Sequence, residues 1–115
     1  MFNKVTIYEV KVDRQEEFEN LFQEINKFYR SMDGVIDLKF FKRNYRQADF
    51  SELKKGALPI RLKRLVIKVT YVFCLSVENE YLYANISKKA LELYYKRIHN
   101  CLTTLPKVIL GENLE

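Results

Sequence analysis

The chain has 115 residues, a formal net charge of +5, and a composition that is 48% apolar and 30% charged. That is the length of one domain, with enough apolar side chain, eight Phe and eight Tyr included, to build a packed core. Only three Gly and two Pro, and no apolar run near the roughly 20 residues needed to cross a bilayer, exclude low-complexity and helical membrane-spanning classes.

The amino terminus, "MFNKVTIYEVKV", lacks the short apolar core and small-residue cleavage site of a signal peptide. Cys74 and Cys101 have no metal-ligand spacing, and both fall in apolar segments where a free thiol behaves as a small hydrophobe. A cytoplasmic protein with reduced thiols and no metal is expected.

"VTIYEVKV", residues 5–12, alternates with high β-branched content and is predicted to be a strand, with Tyr8, Val10 and Val12 on one face and Val5 and Ile7 on the other. Asp13 stands at a helix N-cap position with Glu16 three residues later, the capping-box spacing. The following helix presents Phe18, Leu21, Phe22, Ile25, Phe28, Tyr29 and Met32 as one stripe, and Gly34 ends it. Residues 35–42 alternate again, with Ile36, Leu38 and Phe40 expected on one face and Phe41 on the other.

Residues 62–77 are predicted to be a longer strand, apolar on both faces: Leu65, Ile67, Val69, Tyr71, Phe73 and Leu75 on one side, Val66, Val72 and Cys74 on the other. A strand apolar on both sides must be covered on both. Residues 79–105 are helical, with a break expected near Asn85-Ile86-Ser87, and Pro106 precedes a short last strand, "KVILGE". The order strand, helix, strand, strand, helix, strand favours an α+β, ferredoxin-like βαββαβ arrangement: one domain over 1–115, a four-stranded antiparallel sheet with both helices on one face. A basic insertion at about 43–62 joins the second and third strands.

Three stretches resemble the dimeric α+β barrel superfamily and, within it, the antibiotic biosynthesis monooxygenase-like domains. They are "VTIYEVKVDRQEEFENLFQEINKFYRSMDGVIDLKFFKR", "YVFCLSVENEYLYANIS" and "LELYYKRIHNCLTTLPKVILGE", together about two thirds of the chain. The resemblance implies a homodimer whose sheets pack face to face, and cofactor-independent oxygenation of a small aromatic or hydrophobic metabolite. Where the family tends to use a Trp, near the start of the second helical region, this chain has Tyr81 and Tyr83 and no Trp anywhere. Its one histidine, His99, lies later in that helix than the iron ligand of haem-degrading relatives, so no haem is implied.

Two constellations are candidates for function. The first is a Tyr-rich group: Tyr71, Tyr81, Tyr94 and Tyr95 as a pocket for a flat aromatic ligand, with His99 and Tyr83 as the proton-moving groups. Aromatic residues at helical spacing equally suit plain core packing. The second is a concentration of charge. Ten of the twenty Lys and Arg fall between residues 39 and 68, opposed only by Asp49 and Glu52. Lys54, Lys55, Arg61, Lys63 and Arg64 are the anion-binding candidates, which leaves open a non-catalytic homodimer that holds an acidic partner, an anion or a nucleic acid. No RNA-recognition signature accompanies them, and a solvated hairpin is the plain alternative.

Overall fold

The computed structural model describes residues 1–63 and 67–115. Strand β1 (Phe2–Lys11) leads through a 3-10 turn (Val12–Arg14) into helix α1 (Gln15–Arg30) and strand β2 (Val35–Lys42). A small hairpin follows, strands β3 (Tyr45–Arg46) and β4 (Ile60–Arg61) flanking the single-turn helix α2 (Phe50–Leu53). Strand β5 (Lys68–Val77), helix α3 (Glu80–Cys101) and strand β6 (Lys107–Glu112) complete the chain. The main sheet is antiparallel with spatial order β2-β5-β1-β6, the ferredoxin-like order, and the short hairpin is a separate two-stranded sheet. No helix among the described residues is long and apolar enough to cross a membrane.

The core lies between one sheet face and the two long helices. Phe18, Leu21, Phe22, Ile25 and Tyr29 of α1 pack on Tyr8 and Val10 of β1 and on Val69, Tyr71, Phe73, Leu75 and Val77 of β5. Each such side chain contributes about 1.5–3 kcal/mol of transfer free energy, opposed by the entropy of ordering the chain. Phe40 slots between Phe22 (4.4 Å, 4° between ring planes) and Tyr71 (5.5 Å, 5°), a stack of three rings that joins α1 to β2 and β5.

Four details differ from the periodicity reading. Asp13 does not cap α1: the 3-10 turn intervenes, the helix starts at Gln15, and its N-cap, Arg14, makes no side-chain capping bond. The register of β2 shifts between Val35 and Asp37, so Val35 lies opposite Val77 while Ile36 is exposed instead of sharing a face with Leu38. The break expected at 85–87 is absent, because Asn79 caps α3 by accepting from the Leu82 N–H at 2.9 Å and the helix then runs unbroken to Cys101. Finally, β5 begins at Lys68, not residue 62, and Ile67 is 93% exposed. Leu65 and Val66, expected in that strand, lie outside the described residues.

The centre of the sheet face turned away from the helices is also apolar, with Lys39 opposite Cys74 and Lys107 opposite Ile7 at its margins. Phe41, Val72 and Ile7 form one rank across the strands, and Cys74, Val5 and Ile109 a second. Phe41 and Ile109 are each 52% exposed, and Val5, Ile7, Val72 and Cys74 are half-buried.

Candidate functional site

A cavity of about 100 Å³ lies between α3, α1 and the sheet. Its wall carries the phenols of Tyr8 (β1), Tyr29 (α1), Tyr83 and Tyr94 (α3), together with Lys4, Ser87 and Ala90. Alternation along β1 aims Lys4 and Tyr8 at the helices, because side chains two residues apart share a sheet face. The spacing of Tyr83, Ser87, Ala90 and Tyr94 gives α3 a matching inner stripe. Lys4 Nζ stands 5.6 Å from the centre of the Tyr83 ring, and Phe2 packs on that ring at 5.0 Å. Tyr94 is held edge-on to Phe28 at 5.8 Å.

Burial raises the Tyr29 phenol to about 12, with the nearby Tyr83 acting in the same direction. Burial, then the neighbouring Tyr29, raises Tyr8 further still. Both therefore stay protonated near neutral pH and can offer a hydrogen to a bound oxyanion; neither is a base. Ser87 Oγ lines the same cavity, is buried, and has no hydrogen-bond partner among the described residues. An unpaired buried hydroxyl costs free energy that a ligand atom could recover.

Whole-fold comparison finds this architecture in solved structures. A candidate antibiotic biosynthesis monooxygenase from Nitrosomonas europaea superposes with TM-score 0.70 at 12% identity over 100% of both chains. The cofactor-independent oxygenase SnoaB from Streptomyces nogalater, in a mutant form, gives 0.67 at 11% identity, covering 99% of this chain and 93% of its own. A conserved protein from Methanosarcina mazei Go1 gives 0.69 at 12%, covering 96% and 89%. The chain shares the fold of these solved structures, a ferredoxin-like antiparallel sheet with two helices on one face. No protein-family model matches the sequence, and no curated protein matches it. At these identities the shared fold fixes architecture and leaves the chemistry to the site.

Within that fold the Tyr-rich group divides. Tyr83 and Tyr94 reach the cavity. Tyr71 instead borders an open groove beside β2, where its hydroxyl donates to Glu19 Oε2 at 2.5 Å; burial and that bond both raise its pKa. Tyr81 and Tyr95 are exposed, and His99 stacks on Tyr95 at 5.8 Å on the outer side of α3. His99 is not among the residues that line the cavity, so the imidazole is not placed to act there. Tyr8, Tyr29, Lys4 and Ser87 were not in the predicted group. The available signal was hydroxyl and ammonium groups on otherwise apolar faces of β1, α1 and α3. Among the described residues no three His, Cys, Asp or Glu side chains converge to hold a metal.

The basic candidates divide as well. Lys54 sits over the Phe50 ring at 5.4 Å and Lys55 pairs with Glu52 at 3.8 Å, both at the hairpin tip. Gly56, with φ +81°, turns the chain back there. Arg61 lies 5.0 Å from the Tyr45 ring and, with Lys63, lines a separate cleft of about 480 Å³ at the hairpin base. Arg64 lies outside the described residues.

Proposed function

We propose that this chain is a homodimeric monooxygenase-like enzyme that binds a small phenolic or enolic metabolite in the cavity beneath α3 and reacts it with oxygen without a cofactor. The observation that carries the reading is the chemistry of the cavity wall: four phenols, one ammonium group and one unpaired hydroxyl around an apolar space. Protonated Tyr8 and Tyr29, with Lys4 at the rim, favour the anionic form of a bound phenol or enol. A cation a few ångströms away in a low-dielectric setting is worth several-fold more than in water. The substrate, thus ionised, supplies the electrons itself: a methylene activated by the anion becomes a carbonyl with one oxygen atom, and its two hydrogens leave with the other as water. The cavity's size fits a single small ring, and Leu91, which lines it and is 56% exposed, marks its edge. The apolar ranks of the outer sheet face supply the dimer contact, since patches of this kind are rarely left in water.

The test uses 4-nitrophenol, whose anion absorbs visible light. Bound nitrophenol is expected to ionise about one pH unit lower than in water, with Lys4→Met abolishing the shift. An oxygen electrode then reads uptake with single-ring and two-ring phenols. An unchanged or raised nitrophenol pKa on binding would overturn the ionising role of the site. No uptake with any of the phenols would leave binding without oxygenation.

A further inference from the structure

We infer a second ligand site, independent of the helix–sheet cavity: a cationic cleft at the end of the sheet that holds the phosphoryl chain of a small oligophosphate, free or carried on a nucleoside. The cleft is built by backbone. The Arg43 N–H donates to the Thr70 carbonyl at 2.8 Å, extending the β2–β5 ladder by one residue, and the Leu62 N–H donates to the Asn44 carbonyl at 3.0 Å, closing the hairpin base. Around these bonds Lys42, Arg43, Arg61, Lys63 and Lys68 line one cleft.

The resulting volume is about 480 Å³, within the range of small-molecule sites. Among the described residues five cations line it and no carboxylate does. Two are partly neutralised from outside the cleft: Lys42 lies 3.9 Å from Glu19 Oε2, and Lys68 lies 3.9 Å from Glu9 Oε2, which also accepts from Thr70 Oγ1. Among the described residues no carboxylate stands within ion-pair distance of Arg43, Arg61 or Lys63. Gathering like charges in one concavity raises the energy of the empty protein, and a bound polyanion relieves it.

Phosphoryl groups fit best. Arg forks match phosphate oxygens in pairs, and two arginines lining one cleft, Arg43 and Arg61, suit a chain of two or three phosphates. Among the described residues the remaining lining, Val12, Leu62 and Val69 among it, contains no aromatic ring. Single-stranded nucleic acid binds by stacking its bases on such rings. The nearby rings each carry a cation on one side, Arg61 on Tyr45 and Lys54 on Phe50, and neither lines the cleft. Among the described residues the cleft shares no lining residue with the cavity beneath α3, so the two sites stand or fall separately.

The experiment is calorimetric titration of the full chain with tripolyphosphate, ATP, AMP and an oligothymidylate at about 0.15 M salt. Tripolyphosphate and ATP are expected to bind comparably, and AMP at least tenfold more weakly. Arg43→Gln with Lys63→Gln is expected to weaken tripolyphosphate by about tenfold or more, whereas Lys54→Gln with Lys55→Gln, the same loss of charge outside the cleft, changes it less than twofold. Arg43→Lys, which keeps the charge and loses the fork, is expected to fall between and gives a second reading should the double variant fold poorly by circular dichroism. If both double variants weaken binding equally, net charge is acting and the site is refuted. It is refuted too if no oligophosphate binds the wild type, or if the oligothymidylate displaces tripolyphosphate. Tripolyphosphate binding without ATP binding would identify the free form as the ligand.

Discussion

Replacing Ala90 by Leu tests the cavity and its proposed use together. Ala90 lines the space of about 100 Å³ from α3, and Leu adds three carbon atoms at that point. Filling the cavity at about 24 cal/mol per Å³ gives ~2.4 kcal/mol. Burying three carbons at about 0.8 kcal/mol each gives the same figure. Against this stand about 0.5–1 kcal/mol of lost Leu rotamer freedom and some crowding of its neighbours; helix propensity hardly changes between Ala and Leu. A net gain of about 1–2 kcal/mol is expected, which in a domain of this length raises Tm by roughly 4–8 °C. Thermal melts of wild type and Ala90→Leu, each with and without 4-nitrophenol, read both effects. Wild type should gain stability from the ligand, and the variant should start higher and gain nothing. A lower Tm for Ala90→Leu would mean that the space is not there to fill. A ligand-induced shift equal to that of wild type would mean that the ligand binds elsewhere.

Gly34 takes φ +88°, and a β-carbon there would run into Leu82, so Gly34→Ala should cost about 2–4 kcal/mol in urea unfolding, with Leu82→Ala recovering part of it; a loss under about 0.5 kcal/mol contradicts the close approach. The Tyr29 pKa is raised from 10.0 to about 12 in the folded chain, so its contribution is complete below pH 10 and is lost as pH rises toward 12. Stability measured by denaturant should therefore fall over that window more steeply in wild type than in Tyr29→Phe, and equal slopes would contradict the burial of this phenol. The apolar sheet face predicts a dimer at micromolar concentration in sedimentation and a monomer for Ile7→Asp; a stable wild-type monomer would remove the assembly.

The six-element order was legible because each main element carries an undiluted period. The α1 stripe from Phe18 to Tyr29 is a helix in any context that buries it, and the double-sided apolar strand ending at Leu75 demanded cover on two faces. Errors fell where one residue has two good options. Asp13 can cap a helix or, as here, sit in a 3-10 turn ahead of it. Ile36 fits an alternating strand, but the register shift turns it out. Ser87 can start a helix, yet Asn79 had already capped one.

The candidate site was half legible. Tyr83 and Tyr94 were visible as a spacing, but Tyr95 and His99 share that helical spacing and lie on the outer face, since periodicity gives a face without saying which face is inside. Lys4 and Tyr8 of β1, Tyr29 of α1 and Ser87 of the distant α3 come from three elements, and only their packing makes them neighbours. The same limit applies to charge: a basic segment is plain from composition, whereas the backbone bonds from Arg43 and Leu62 decide which cations share a cleft. Amino-acid order alone determined the period, and hence the identity, of each main element, because period is a property of consecutive residues. The sheet order, the cavity and the cleft were decided by tertiary structure, because each depends on contacts between segments whose separation along the chain says nothing of their distance in space.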